Sequence, residues 1–162
     1  MAEGTISTDD PRRDDVRALL ERHLTYARAT TLPEDVHALD VDALLDPTVT
    51  FFSYRVEEEV LGVAALKRLD DGHGEIKSMH TAEAARGHGI GRALVEHLLA
   101  VARGRGYRRV SLETGSGPAF AAARSLYARA GFAPCPPFAD YPMRPTSSCM
   151  TLLLDEAAPD RR

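Results

Sequence analysis

The stretch RGHGIG, residues 86–91, stands between a strand-like segment and an amphipathic helix. Its glycines let the backbone approach a ligand closely and adopt positive φ angles. The first turn of the following helix leaves N–H groups unpaired at the positive end of the helix dipole. These features predict a site for an anion such as a pyrophosphate, with Arg86 and Arg92 at its rim. A glycine-rich turn with solvated arginines is the alternative.

Outward from this loop, the chain predicts one sheet flanked by helices. Strands are expected at 5–7, 49–55, 59–69, 75–81, 108–113 and about 147–154, and helices from the Asp9-Asp10-Pro11 start to about residue 29, from Gly89 to about 103 and from Pro118 to about 130. Residues 34–45 are ambiguous, and a short helix followed by a turn is expected there. This order, with an antiparallel meander in its middle, is typical of an α+β or mixed α/β fold with one sheet.

Length and composition indicate the class of protein. With 162 residues, one domain spanning 1–162 is expected, with 1–4 and 155–162 as frayed tails. The net charge of −4 gives no sign of the basic face typical of nucleic-acid binding, so no nucleic-acid partner is expected. No stretch approaches the ~20 apolar residues of a membrane span, and the polar N-terminus lacks the apolar core of a signal peptide. A cytoplasmic location without a membrane partner is therefore expected.

The cysteines and histidines show no metal or disulfide pattern. Cys135 and Cys149 lack metal-ligand spacing and are too sparse for a disulfide framework. His23, His73 and His97 show no metal spacing either, so no metal is expected. Cys135 lies between prolines without a neighbour that would stabilise a thiolate, and it is therefore not interpreted as a nucleophile.

Three types of phosphate-binding loop compete for residues 86–91. The nucleoside-triphosphatase loop requires GxxxxGK followed by Ser or Thr, and the chain has no such run. The dinucleotide fingerprint requires GxGxxG directly after a strand. Here Arg92 takes the place of the last glycine, although Ala93 gives a looser GxGxxxA and Glu113 would imitate the ribose-binding acid. An NAD(P)-binding oxidoreductase module stays open as an alternative.

The third type of loop fits best. Residues 86–91 match Q/R-x-x-G-x-G/A, the signature of the GNAT superfamily of N-acetyltransferases, and residues 123–132, ARSLYARAGF, resemble the AxxLYxxxGF helix end of that family. Residues 75–81 resemble the family's fourth strand, and loop, helix, strand and second helix follow in family order. The resemblance implies a GNAT-like fold, which is a mixed, largely antiparallel twisted sheet with helices on both faces and a splayed central pair of strands.

The resemblance also implies transfer of an acetyl group from acetyl-CoA, the cosubstrate, to a primary amine of a small-molecule or peptide acceptor in a ternary complex. The pantetheine arm would pair with the backbone of Met79, His80 and Thr81 as an added strand does. Backbone N–H groups of the loop would hold the pyrophosphate, and the loop residues are Arg86, Gly87, His88, Gly89, Ile90, Gly91 and Arg92. Many relatives form dimers, so a homodimer is a possible assembly. A catalytically silent CoA-binding domain is the other alternative.

Two residues are implied as catalytic. Tyr127 stands at the position of the family's general-acid tyrosine, which would protonate the leaving CoA thiolate, and a core tyrosine is the alternative. Glu113 ends its strand and would deprotonate the amine, whose ordinary pKa of ~10.4 keeps it charged at neutral pH. A capping or salt-bridged carboxylate is the alternative for Glu113. Glu75 is a second candidate base, although an exposed hairpin residue is the favoured interpretation there.

Other residues are candidates for cosubstrate or acceptor contacts. Phe120 stands where many relatives have an asparagine that bonds the CoA arm, so it would pack on the arm or its adenine, or join the core. The proline-rich loop before the last strand carries Phe138, Tyr141 and Arg144, which would suit an acceptor with a carboxylate and a flat apolar part. His37 is expected to cap a short helix or to line the acceptor pocket.

Overall fold

The computed structural model of the protein describes residues 3–30, 41–139, 141–145 and 147–154, with side chains only to residue 22 in the first range. Within these ranges the chain forms seven strands and three α-helices. In chain order they are β1 (Thr5–Thr8), α1 (Asp14–Thr30), β2 (Val49–Val56), β3 (Glu59–Asp70), β4 (His73–Thr81), α2 (Ile90–Gly104), β5 (Arg109–Gly115), α3 (Ala121–Arg129), β6 (Ala133–Cys135) and β7 (Ser147–Leu153). Short 3₁₀ turns lie at Ala43–Leu45, Glu83–Ala85 and Pro118–Phe120.

The strands form one sheet in the order β1-β2-β3-β4-β5-β7-β6. Neighbouring strands are antiparallel except for β4 and β5, which run parallel. Helix α2 connects these two strands, because parallel neighbours require a long crossover. This mixed, mostly antiparallel open sheet with helices confirms the predicted fold class. The edge strand β6 is missing from the sequence prediction, because its three residues lie among prolines and such a pattern is typical of a loop.

Two apolar clusters cover the sheet on its opposite faces. On one face, Leu94 and Leu98 of α2 are fully buried in a cluster with Leu66 of the sheet. On the other face, α1 places Val16 in a cluster with Val63. Each fully buried side chain of this kind contributes ~1.5–3 kcal/mol. Residues that alternate along one strand therefore face different helices, which gives the two sides of the sheet different chemical surroundings.

The two central strands are paired over only part of their length. The β4–β5 ladder ends at the Ile76–Leu112 pair, although both strands continue beyond it. Past that point the β3–β4 register is irregular, and Ser78 has a φ angle of 54°. A positive φ is uncommon for a residue other than glycine, and an irregular register of this kind bends a strand. The gap between β4 and β5 therefore opens where the strand irregularity begins.

Helix α1 begins at Asp14, which is later than the sequence predicts. Asp9, which is expected near its cap, instead accepts hydrogen bonds from Ser53 and Arg55 of β2. Strand β4 begins earlier than predicted, since Gly74 belongs to the strand and not to the preceding turn. The expected short helix within 34–45 is described only as the turn Ala43–Leu45, and residues 34–40, with His37, lie outside the described residues, as do 1–2 and 155–162.

A charge network joins the segment before α1 to β2. Arg55 donates hydrogen bonds to Asp9 (Nη2 to Oδ2, 2.9 Å) and to Asp15 (Nη1 to Oδ2, 2.7 Å). Burial acts to raise the pKa of Asp9, but the hydrogen bonds from Ser53, the Asp10 N–H and Arg55 outweigh it and lower that pKa. The hydrogen bond from Arg55 also lowers the pKa of Asp15. Both carboxylates are therefore stabilised in their charged form by the folded state.

Replacing Arg55 by methionine is expected to lower the free energy of unfolding at pH 7 by about 1–3 kcal/mol, because Asp9 loses its cation. A carboxylate with a lowered pKa stabilises the fold above its unfolded-state pKa of ~3.9 and loses that contribution as the pH falls through its folded-state pKa. The difference between variant and wild type should therefore shrink below about pH 4. Urea unfolding at several pH values measures it. Arg68→Met removes an exposed pair with Asp71 and should cost at most ~1 kcal/mol, so equal losses would contradict the prediction.

Candidate active site

One cavity of about 1100 Å³ opens where β4 and β5 separate. All the residues predicted for the site line it except His88, which is exposed. The lining members of that set are Met79, His80, Thr81, Arg86, Gly87, Gly89, Ile90, Gly91, Arg92, Glu113 and Tyr127. The structure therefore brings the glycine loop, the end of β4 and both candidate catalytic residues to one space, although they are far apart in sequence.

The glycine loop leads into α2 without a side-chain cap. Gly89 is the N-cap residue with a φ of 80°, and no side chain within the described residues caps the first N–H groups. Gly87 also has a positive φ, 83°, and a Cβ added to either glycine would meet no atom within 4 Å. The glycines are therefore required by the backbone conformation and not by crowding. The first N–H groups of α2 therefore have no side-chain cap from the described residues.

Arginines add positive charge to the cavity. Arg103 of α2 and Arg129 of α3 line it together with the predicted Arg86 and Arg92. Arg92 pairs with Glu96 at 3.0 Å, but both side chains are exposed, so this pair contributes little to stability. Sequence reasoning missed Arg103 and Arg129. The signal for Arg103 was its spacing from Arg92, since residues eleven apart return to the same face of an α-helix.

Tyr127 of α3 reaches the cavity from the apolar core. Its residue is 5% exposed, and its ring contacts Phe132 edge to face with centroids 5.8 Å apart. Burial raises the pKa of Tyr127, so its hydroxyl keeps its proton at neutral pH. The geometry leaves a protonated phenol next to the cavity.

Glu113 lies on β5 one residue beyond the end of the β4–β5 ladder. Ser147 Oγ donates a hydrogen bond to Glu113 Oε2 at 2.5 Å, which fixes one carboxylate oxygen. Glu113 is opposite Cys149 in the β5–β7 ladder, and it lines the cavity. Sequence reasoning did not single out Ser147, because β5 and β7 become neighbours only in the folded sheet. The carboxylate can accept a proton from a group in the cavity.

The prediction that Glu75 is an exposed hairpin residue is wrong. Its residue is 2% exposed and lies within β4. Tyr141 Oη donates a hydrogen bond to Glu75 Oε2 at 2.5 Å, and Lys77 Nζ lies 3.1 Å from the same oxygen. Burial and the neighbouring Glu75 carboxylate raise the pKa of Tyr141, so its hydroxyl remains a donor. The loop that carries Tyr141 covers Glu75, and a local sequence pattern cannot show that.

Ser78 is a second residue that the sequence analysis missed. It is 8% exposed, lines the cavity and has a φ of 54°. Its Oγ is the single buried side-chain polar atom without a hydrogen-bond partner among the described residues. A buried unsatisfied hydroxyl and a positive φ each carry a cost of ~1–3 kcal/mol. Such costs are commonly found at functional sites, which agrees with the position of Ser78 on the cavity wall.

The residues predicted to contact the acceptor or the CoA arm lie at two cavities. Phe120 lines the cavity, and its ring packs on Gly115, where a Cβ would come within 2.1 Å of the ring. Tyr141 also lines the cavity, and Phe138 contacts its ring with centroids 5.2 Å apart. Arg144 is exposed and lines a second, smaller cavity of about 260 Å³ instead.

Three further findings concern the cysteine, metal binding and membrane spans. Burial raises the pKa of the Cys135 thiol, which disfavours the reactive thiolate form. Among the described residues, no cluster of three or more His, Cys, Asp or Glu side chains is arranged to hold a metal ion. None of the helices in the described ranges has the length and apolar character needed to cross a membrane.

Comparison with known proteins shows the family. Residues 13–132 match the model of the acetyltransferase (GNAT) family. An uncharacterized N-acetyltransferase of Escherichia coli, YedL, is 45% identical over 94% of this chain and 96% of its own length. The Azospirillum brasilense protein named IAA acetyltransferase is 35% identical over 93% of this chain and 97% of its own length.

Solved structures show the same fold. A Klebsiella pneumoniae protein assigned to the acyl-CoA N-acyltransferases has a TM-score of 0.77 at 28% identity, and the match covers 94% of this chain and 98% of that one. A GNAT family acetyltransferase from Elizabethkingia anophelis, solved with acetyl-CoA bound, has a TM-score of 0.69 at 20% identity over 95% of this chain and all of the other.

The chain therefore belongs to the acetyltransferase (GNAT) family. It is an acyl-CoA-dependent N-acetyltransferase, and the predicted family resemblance is confirmed. The dinucleotide-binding alternative does not fit the fold, because β4 and β5 are the single parallel pair among the described strands and that alternative requires a mostly parallel sheet.

Proposed function

We propose that the protein transfers an acetyl group from acetyl-CoA to a primary amine of a small-molecule or peptide acceptor by direct attack in a ternary complex. One observation carries this proposal. A single cavity connects the uncapped start of α2 with Glu113 and Tyr127 through the gap between β4 and β5. An anion site, a proton acceptor and a proton donor are the three groups that this reaction requires, and all three line one space.

The cosubstrate fits the α2 side of the cavity. The N–H groups of the loop and the first turn of α2 would hold the pyrophosphate, with Arg86 and Arg92 beside it. His88 would contribute through its backbone, because its side chain is exposed outside the cavity. Structural relatives from Elizabethkingia anophelis and Bacillus subtilis, 20% and 19% identical, were solved with acetyl-CoA and CoA respectively, which supports this choice of ligand.

The end of β4 would hold the arm of the cosubstrate. Met79, His80 and Thr81 line the cavity beyond the last β4–β5 pair. Their backbone would pair with an extended amide-containing chain as with another strand. A strand edge recognises such a chain through main-chain groups, so the side chains at these positions are free to vary.

The chain's own groups account for the proton movements of the reaction. Glu113 accepts the proton that the amine must lose before its nitrogen lone pair attacks the thioester carbon. As the carbon–nitrogen bond forms and the carbon–sulfur bond breaks, Tyr127 donates its hydroxyl proton to the leaving sulfur. Burial raises the pKa of this phenol, so Tyr127 keeps its proton until negative charge develops on the sulfur beside it.

A release assay tests the proposed function. Purified protein is mixed with acetyl-CoA and a panel of amino acids, polyamines, aminoglycosides, short peptides and IAA, and free CoA thiol is measured. IAA is included because one relative is named for it. Release with at least one amine, and a higher melting temperature with acetyl-CoA than with NAD or NADP, are expected. Binding without release across the panel would favour a catalytically silent module, and stabilisation by NAD(P) alone would contradict the proposal.

Replacing Gly89 by alanine is expected to weaken CoA binding about tenfold, because a Cβ disfavours a φ of 80° by ~1–2 kcal/mol and displaces the first N–H groups of α2. Calorimetry with CoA measures the affinity. Gly104→Ala is the matched control at the other end of α2, where the added Cβ meets no atom within 4 Å and φ is not positive. Unchanged affinity in Gly89→Ala would remove the loop from the binding site.

A further inference from the structure

The cavity lining also includes a lysine with little solvent exposure. Lys77 belongs to β4, and its side chain is 9% exposed, beside a Glu75 side chain that is 3% exposed. Lys77 Nζ donates hydrogen bonds to Glu75 Oε2 at 3.1 Å and to Tyr141 Oη at 2.6 Å, and the Tyr141 hydroxyl donates to Glu75. The three side chains form a closed triangle, which is called the Lys77 cluster below.

Fold stability is a poor explanation for the Lys77 cluster. A buried ion pair must offset the cost of removing two charges from water, and apolar residues of similar volume often stabilise a protein as well or better. A charged pair retained at a cavity wall therefore points to a ligand. Tyr141 ties the loop before β7 to this pair, so the loop and the pair form one wall.

The Lys77 cluster presents its cation to the cavity. Lys77 and Tyr141 line the cavity, whereas Glu75 lies behind them. An ammonium group has three N–H donors, and within the described residues Lys77 uses two of them, on Glu75 and Tyr141. The third donor is left for an acceptor atom in the cavity, and Glu75 keeps the charge of the lysine compensated while the site is empty.

A cation and an anion line the same cavity from neighbouring strands. The parallel register pairs Glu75 with Ser111, so Lys77 and Glu113, each two residues further on, lie on the same face of neighbouring strands. Both residues line the cavity. The molecule that complements them carries an amine for Glu113 and, a short distance away, an anionic group for Lys77.

We propose that the acceptor carries a carboxylate near its amine and that Lys77 binds this carboxylate, so the substrate class is amino acids and related amine carboxylates. This inference rests on the proposed acetyl transfer with Glu113 as the base. It also moves carboxylate recognition from Arg144, where the sequence analysis expects it, to Lys77. Arg144 lines the smaller cavity and is exposed, whereas Lys77 faces the reaction space.

Matched acceptor pairs test the proposal. CoA release is measured with L-amino acids and with their primary amides, in which a neutral group of similar size replaces the carboxylate. Wild type is expected to prefer the acids in kcat/KM. Lys77→Met keeps the length of the side chain and should lower kcat/KM for the acids about 10–10²-fold, the usual value of a hydrogen bond to a charged group, with a smaller loss for the amides, whose carbonyl oxygen is neutral.

Three further variants separate binding from folding and from general charge effects. Lys77→Met alone leaves the buried Glu75 carboxylate without its cation, and the double variant Glu75→Gln/Lys77→Met removes that carboxylate. The double variant should show the same loss of kcat/KM for acids. Its CoA affinity, measured by calorimetry, should equal that of wild type. Lys67→Met makes the same substitution on β3, outside the cavity lining, and should keep the preference of wild type. Arg144→Ala should also keep it.

The outcomes are distinguishable. Turnover of amines with equal kcat/KM for acids and amides, or loss of the preference in Arg144→Ala but not in the Lys77 variants, would overturn the carboxylate site and leave the proposed function intact. An equal loss for acids and amides in both Lys77 variants would show a structural role only and would also overturn it. No CoA release with any amine would contradict the proposed function itself.

Discussion

Glu113→Gln should lower kcat/KM for amine acetylation about 10³-fold at neutral pH, because general bases contribute ~10²–10⁴-fold and glutamine accepts no proton. The loss should shrink as the pH approaches the amine's ordinary pKa of ~10.4, since an amine that is already neutral needs no base. The Ser147 hydrogen bond to the side-chain oxygen can be retained in glutamine, so the fold around β5 and β7 should be little affected. CoA release against pH, with the best acceptor of the panel, measures the effect.

The control for this variant is Glu59→Gln, which makes the same change at the exposed start of β3. Its pH profile should coincide with that of wild type. A Glu113→Gln loss that stays constant across the pH range would speak against a role in deprotonation and in favour of a structural carboxylate held by Ser147. CoA affinity, measured by calorimetry, should be unchanged in both variants, because neither residue lies at the α2 end of the cavity.

Tyr127→Phe should lower kcat about 10²-fold and leave the affinity for CoA nearly intact. The change removes only the hydroxyl, and the ring contact with Phe132 in the core stays. Because burial raises the pKa of Tyr127, its ionisation should not limit the rate at neutral pH. Single-turnover measurements with saturating acetyl-CoA separate this chemical step from product release.

Tyr107→Phe is the matched control for the tyrosine prediction. Tyr107 is buried in the same apolar cluster, with 6% exposure, but it does not line the cavity. Loss of its hydroxyl should therefore leave kcat unchanged. If Tyr127→Phe turned over as fast as this control, the phenol would be a packing residue, and the leaving sulfur would take its proton from water or from another group.

The parts of the fold that local patterns specify were predictable. The apolar spacing of Leu94 and Leu98 predicts α2, and the order of elements predicts a mixed sheet, because both depend on residues close in sequence. The late start of α1 was not predictable, since Asp9 binds Arg55 of a distant strand instead of capping the helix. Strand β6 exists only because β7 lies beside it, and nothing near Pro134 indicates this pairing.

Some residues of the candidate site were likewise predictable from the sequence, and others were not. Motif residues such as Gly89 and Tyr127 could be assigned from the family resemblance, and they meet at the cavity. The burial of Glu75 and the position of Lys77 depend on Tyr141, which is 66 residues away from Glu75 in the chain. The bulge at Ser78 leaves no mark in the sequence, because serine is not a residue that predicts a positive φ. Contacts of this long range require the folded sheet.

The two ends of the cavity differ in how substitutions should affect them over evolutionary time. N–H groups at the start of α2 belong to every residue type except proline, so the end of the cavity proposed to hold the CoA nucleotide tolerates sequence drift wherever Gly87 and Gly89 keep their backbone angles. The proposed acceptor site around Lys77 consists of individual side chains, and a single replacement there changes the charge of the site. A lineage of this enzyme can therefore exchange one acceptor for another and keep its acyl donor throughout.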